Sequence, residues 1–137
     1  MTKYCFFDTE TDGPKPNCTL LQLALKVVDE ERDYRNVCFN SLVDNGGKEI
    51  PEGATGCHGI YQEDIDRMGM DPKLVLQVFI AYAETADYLI AHNPLFDIGI
   101  IRTAAEKVGQ RYIDAVNSIF ERKEIICTMA LSKDIVK

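Results

Sequence analysis

The chain has 137 residues, 46% of them hydrophobic and 27% charged, which is the composition of one globular domain and argues against disorder or a coiled coil. Fifteen Lys and Arg against 22 Asp and Glu give a net charge of −7, so a protein that grips long nucleic acid or an anionic membrane by charge alone is excluded. No apolar run reaches the ~18 residues of a membrane span, and the first residues lack the apolar core of a signal peptide, so an intracellular, cytoplasmic protein is expected.

Residues 3–10, KYCFFDTE, read as a strand that stops at the turn-forming TDGPKPN. A second strand is expected over Leu20–Val28, a hairpin loop at DEERD, and a third strand over Asn36–Val43. Short links between them predict an antiparallel meander. The segment from Ile50 to Ile65, rich in Gly and polar residues, reads as a loop. Asp71-Pro72 then opens a helix, with Asp as N-cap and Pro at the first helical position; Val75, Phe79, Tyr82 and Ala86 share one face. Tyr88–Ala91 is a short fourth strand. A second helix is expected from Phe96 or Asp97, with Ile98, Ile101, Ala105 and Val108 as its apolar stripe and Gly109 as C-cap. Helix or loop follows, and Glu124–Leu131, EIICTMAL, reads as a fifth strand. The order predicts a layered α/β domain, with helices packed on a mixed five-stranded sheet.

Cys5, Cys18, Cys38, Cys57 and Cys127 show no C-x-x-C spacing, so neither a disulfide framework nor a zinc site is expected. The chemistry-bearing residues lie elsewhere. Asp8 and Glu10 close the first strand, and residues two apart on a strand share a face, ~7 Å from each other along the chain. Two carboxylates so placed can hold a hard cation or begin a two-ion site; a solvated strand end is the plainer alternative. The apolar run Tyr-Cys-Phe-Phe before them and the Gly turn after them suit a site. In AHNPLFD, residues 91–97, an apolar strand again ends in a polar turn. Asp97 falls near a helix N-terminus, as a capping residue or as a carboxylate kept ionised by the helix dipole. Phe96 is either core or a face on which a base stacks.

FFDTETDG, the later AHNPLFD and, between them, His58-Gly59-Ile60 resemble the motifs of the DEDD superfamily of 3′–5′ exonucleases, the family of the proofreading subunit of bacterial replicative DNA polymerase. The resemblance runs from about Lys3 to the end and implies a ribonuclease-H-like fold, with residues 1–137 as a single exonuclease-like domain. It implies that Asp8, Glu10 and Asp97 are catalytic carboxylates that bind two divalent cations, Mg²⁺ or Mn²⁺. It also implies that Thr11, Gly13, His58 and Phe96 contact the terminal nucleotide of a single-stranded DNA or RNA 3′ end. Asp12 stands where the family often has Thr, which alters that contact. A polymerase is an implied partner; a membrane is not.

The family's third motif, H-x-x-x-x-D or Y-x-x-x-D on a C-terminal helix, has no match here. His92 stands five before Asp97 and Tyr4 four before Asp8, but both belong to the motifs already used. None of the later acids, Glu106, Asp114, Glu121, Glu124 and Asp134, has His five back or Tyr four back. IICTMALSKDIVK resembles the family's last strand and the start of the next helix, so the third motif is expected past Lys137. Three readings follow: a fragment or one half of a split gene, a domain completed by a partner's helix, or a domain that binds nucleic-acid ends without cleaving them.

Overall fold

The computed structural model describes residues 2–33 and 35–135. In chain order the elements are β1 (Lys3–Thr11), β2 (Leu20–Asp29), β3 (Arg35–Leu42), α1 (Glu52–His58), α2 (Gln62–Met68), α3 (Pro72–Thr85), β4 (Tyr88–Ala91), α4 (Pro94–Val108), α5 (Gln110–Arg122), β5 (Glu124–Cys127) and α6 (Thr128–Ile135). One five-stranded sheet runs β3-β2-β1-β4-β5. The first three strands form the antiparallel meander, and β4 and β5 add in parallel, so β1 is central.

Alternation along β1 sets the layers. Cys5, Phe7, Thr9 and Thr11 are buried, whereas Phe6 and Asp8 are exposed and Glu10 is half-buried. Leu23, Leu25 and Val27 join Cys5 and Phe7 in the main core, under Val75, Leu76 and Phe79 of α3, Ile98 and Ile101 of α4, and Val116 and Phe120 of α5. At its centre Phe7 meets Phe79 edge to face at 5.6 Å, and Phe120 lies 5.9 Å from Phe79. Burial of the Cys5 thiol in this layer pushes its pKa up to about 12, so it acts as a small apolar side chain.

A β-bulge interrupts the meander beside the D-T-E sequence. Glu10 pairs with Gln22 but Thr11 pairs with Leu20, so Leu21 is skipped. The extra residue lets both leucines be buried in different layers: Leu20 in the main core, and Leu21 with Ile50, Ile60 and Ile65 in a second cluster. That cluster holds α1 and α2, which replace the expected loop. Glycines at 53, 56, 59 and 69 hide these helices from propensity, and burial of the three isoleucines on Leu21 stabilises them.

Two further boundaries differ from expectation. The second long helix begins at Pro94, so Asp97 lies inside its first turn and is not its cap. The fifth strand stops at Cys127, because β4 offers four residues for pairing and these are matched by Glu124–Cys127. Met129 N–H then bonds to the His92 carbonyl and the chain turns into α6. Val136 and Lys137, the end of the expected strand–helix segment, lie outside the described residues.

Phe79→Ala is expected to cost ~3–5 kcal/mol, measured as a lower urea midpoint with an unchanged slope.

Candidate active site at the end of the central strand

The end of β1 gathers the groups singled out in the sequence. Asp8 and Glu10 lie on the sheet face away from α3–α5, and Asp97 is brought from α4 against Thr9 of the same strand. Thr9 Oγ donates to Asp97 Oδ1 at 2.5 Å, and the carboxylate is 4% exposed. Burial is the main cause that pushes the Asp97 pKa from the ordinary 3.8 to about 6; the Thr9 bond opposes it, and Asp8 and Glu10 push it further up. The Glu10 pKa is raised by burial and then by Asp8, while His58 opposes. The three carboxylates are thus within electrostatic reach of one another, and their mutual repulsion is what a cation would relieve.

His58 is the last residue of α1 and uses both ring nitrogens on backbone. Its Nδ1 accepts from the Ile60 N–H at 3.0 Å, and Nε2 lies 3.0 Å from the Thr11 carbonyl. An accepting Nδ1 assigns the ring proton to Nε2, which donates to Thr11. His58 therefore ties the α1–α2 turn to the end of β1. Thr11 is buried and donates Oγ to the Gly13 carbonyl at 2.6 Å. Gly13 leaves room for Cys18: a Cβ there would stand 2.7 Å from its Sγ.

Asp12 faces inward to its own loop. Oδ1 accepts from Thr19 N–H at 2.8 Å, and Oδ2 lies 3.5 Å from Lys48 Nζ. The departure from the family's usual Thr is thus taken up by a bond across the β1–β2 loop. That loop rests on α4, where the Thr103 hydroxyl donates to the Gly99 carbonyl at 2.8 Å with its oxygen 3.3 Å from the Pro16 carbonyl, and Gly99 admits Pro16; a Cβ on Gly99 would meet the Pro16 Cβ at 2.5 Å. Phe96 is half-buried and packs on the main core, while its neighbour Leu95 is 82% exposed. His92 is exposed, with Nδ1 3.1 Å from Thr128 Oγ.

Sequence reasoning missed Thr9, Gly99 and Leu95. Thr9 carried a usable signal. Alternation places it beside Cys5 and Phe7, where a buried hydroxyl costs ~1–3 kcal/mol unless it finds a partner.

A mixed sheet in this order, with carboxylates at the end of its central strand, defines a ribonuclease-H-like α/β domain. The chain matches the RNase T family model, described as an exonuclease, over residues 5–137, and it belongs to that family. It is 30% identical over 118 residues to a DNA polymerase III subunit epsilon-like protein of Rhodobacter capsulatus, a match that covers 82% of this chain and 16% of that protein. It is 34% identical over 125 residues to a PolC-type DNA polymerase III of Listeria welshimeri, covering 89% of this chain and 8% of that one. The chain thus spans less than a fifth of the length of either relative. Its fold resembles a crystal structure of exonuclease I with the inhibitor BCBP, with TM-score 0.81, 15% identity and coverage of 96% of this chain and 29% of that one. Escherichia coli exonuclease I in complex with a dA16 oligonucleotide aligns with TM-score 0.68 and 17% identity over 78% of this chain and 24% of that one.

Exonucleases of this family generally use divalent metal ions. The donor set fits such ions, since carboxylate oxygens suit hard cations. Among the described residues no three His, Cys, Asp or Glu side chains converge on one point.

Two outcomes are expected in metal-free protein. The Asp97 pKa lies higher in the fold than in the unfolded chain, so the protonated form stabilises the fold below about pH 4 and this is lost as pH rises through about 6. Asp97→Asn should therefore raise the thermal midpoint at pH 8 by the equivalent of ~1–2 kcal/mol, and leave it unchanged at pH 4. His58→Ala should accelerate hydrogen exchange of the Ile60 amide ~10-fold or more, read by NMR.

Proposed function

We propose that residues 1–137 form one exonuclease domain that removes nucleoside monophosphates from the 3′ end of single-stranded DNA or RNA. The observation that supports this is that Asp8, Glu10 and Asp97 lie within electrostatic reach of one another near the end of β1, in a chain of the exonuclease family. Asp8, Glu10 and Asp97 would hold two divalent cations, Mg²⁺ or Mn²⁺. Bound there, such ions supply an activated water and neutralise charge at the scissile phosphate and its leaving 3′-oxygen. An acidic chain then meets a phosphate at a locally positive point, without a basic groove.

The chain's own residues do the rest. The Thr11–Gly13 turn borders the terminal sugar, held by the bond from His58 to Thr11. Phe96 and the protruding Leu95 border the terminal base. His58 acts on the nucleotide through the Thr11 backbone, because both of its ring nitrogens are engaged.

Proton handling belongs to the third motif in the family, and beyond Asp97 these 137 residues hold no His–Asp or Tyr–Asp pair of that spacing. The sheet face beyond Asp8 has room for the helix that would bring it. Tyr4 and Tyr88 stack there at 5.6 Å, Phe6 is 41% exposed, and a groove of about 530 Å³ is lined by Tyr4, Phe6, Val28 and Ile90. A helix from further chain or from a polymerase-like partner is the proposed cover. Addition of a polypeptide with the H-x-x-x-x-D helix should raise cleavage, and its His→Ala form should not.

With a labelled single-stranded oligonucleotide and Mn²⁺, the chain is expected to release mononucleotides from the 3′ end. Asp8→Asn, Glu10→Gln and Asp97→Asn should each lower the rate ~100-fold or more. Equal cleavage by Asp8→Asn would overturn the assignment.

A further inference from the structure

Thr9 stands between the two carboxylates of D-T-E, yet its side chain lies on the opposite face of the sheet from theirs. Its partner is Asp97, 88 residues away. Both ends are buried, Thr9 to 6% exposure and Asp97 to 4%. Among the described residues it is the one side-chain hydrogen bond between two buried side chains. It joins β1 to the first turn of α4, and so couples the positions of all three carboxylates.

The Asn93 side chain makes no capping bond at this helix start, and Asp97 N–H is taken by the Asn93 carbonyl within the turn. The Thr9 hydroxyl is therefore the side-chain group that sets the Asp97 carboxylate. A valine of the same shape would fill the space and keep the strand, but could not donate.

We infer that Thr9 is the positioning residue of this site: its hydroxyl, donating to Oδ1, holds the Asp97 carboxylate in the one rotamer from which it can share a cation with Asp8 and Glu10. The inference rests on the proposed role of Asp97 as a metal ligand. It assigns to the middle residue of D-T-E a task distinct from that of its two neighbours. Ligand-orienting partners of this kind are typically worth ~10–100-fold in metal affinity.

The test uses the whole chain with Thr9→Val and Thr9→Ser. In metal-free protein, three-bond couplings at Asp97 should report one χ1 rotamer for the parent and for Thr9→Ser, and averaging for Thr9→Val. The Mn²⁺ concentration that gives half of the rise in thermal midpoint should increase ~10-fold or more in Thr9→Val and stay within about threefold in Thr9→Ser. A general packing role would leave the two variants alike, and that result overturns the inference, as does an unaveraged Asp97 in Thr9→Val. Should Thr9→Val fail to fold, hydroxyl exchange in the parent decides: a slowly exchanging Thr9 proton supports the clamp and one exchanging at the solvent rate refutes it. A parent chain indifferent to Mn²⁺ would refute the metal-site assignment, and with it the cation-directed purpose of the clamp; the couplings would still show whether the hydroxyl holds Asp97.

Discussion

The two-sidedness of β1 is the constraint on which the rest of the molecule depends. As the central strand it has a partner on each edge, and its side chains alternate between a layer of helices and a face that is open at Phe6 and Asp8. Cys5 and Phe7 tie one side to the aromatic core of Phe79 and Phe120, which holds the strand in place. Rigidity on that side allows charge on the other. Carboxylates at Asp8 and Glu10 keep their placement because Phe7 before them and Thr9 between them are buried on the other side.

The bulge at Leu21 extends this logic past the strand's end. It sends one leucine to each layer and so gives α1 and α2 something to pack on. Those two helices in turn deliver His58 to the Thr11 carbonyl. From the other direction, Gly99 and Thr103 of α4 hold the loop that carries Gly13. The end of β1 is thus gripped by backbone-directed contacts from both sides, which is how a site rich in like charges keeps one shape. Burial is the main cause of the raised pKa values of Glu10 and Asp97, and repulsion between the carboxylates adds to it. A net charge of −7 is compatible with phosphate chemistry only where such repulsion is exchanged for bound cations.

Much of the fold was legible because the elements obey local rules. Apolar runs bounded by turn residues exposed β1 and β2, Asp71-Pro72 marked α3, and the stripe from Ile98 to Val108 marked α4. Legibility ended where long-range pairing or burial overrode local preference. The helix α1 is glycine-interrupted, α2 is only seven residues long, and the two stand on Ile50, Ile60 and Ile65, whose partner Leu21 lies far back in the chain. The apolar run of β5 continues to Leu131, but the strand ends at Cys127 because β4 has no more residues to pair.

By itself the sequence determined the class of domain and the family resemblance, and that resemblance is what singled out Asp8, Glu10 and Asp97 as the expected site. Class and resemblance are legible because they rest on residue types and short motifs within single elements. Only the tertiary structure decided how those residues are held: Thr9 on Asp97, His58 on backbone at both nitrogens, and Asp12 turned into its own loop. Each of these is a hydrogen bond between chain segments brought together by the sheet. Local periodicity shows which face a side chain takes, whereas the partner that meets it there depends on how the whole chain packs.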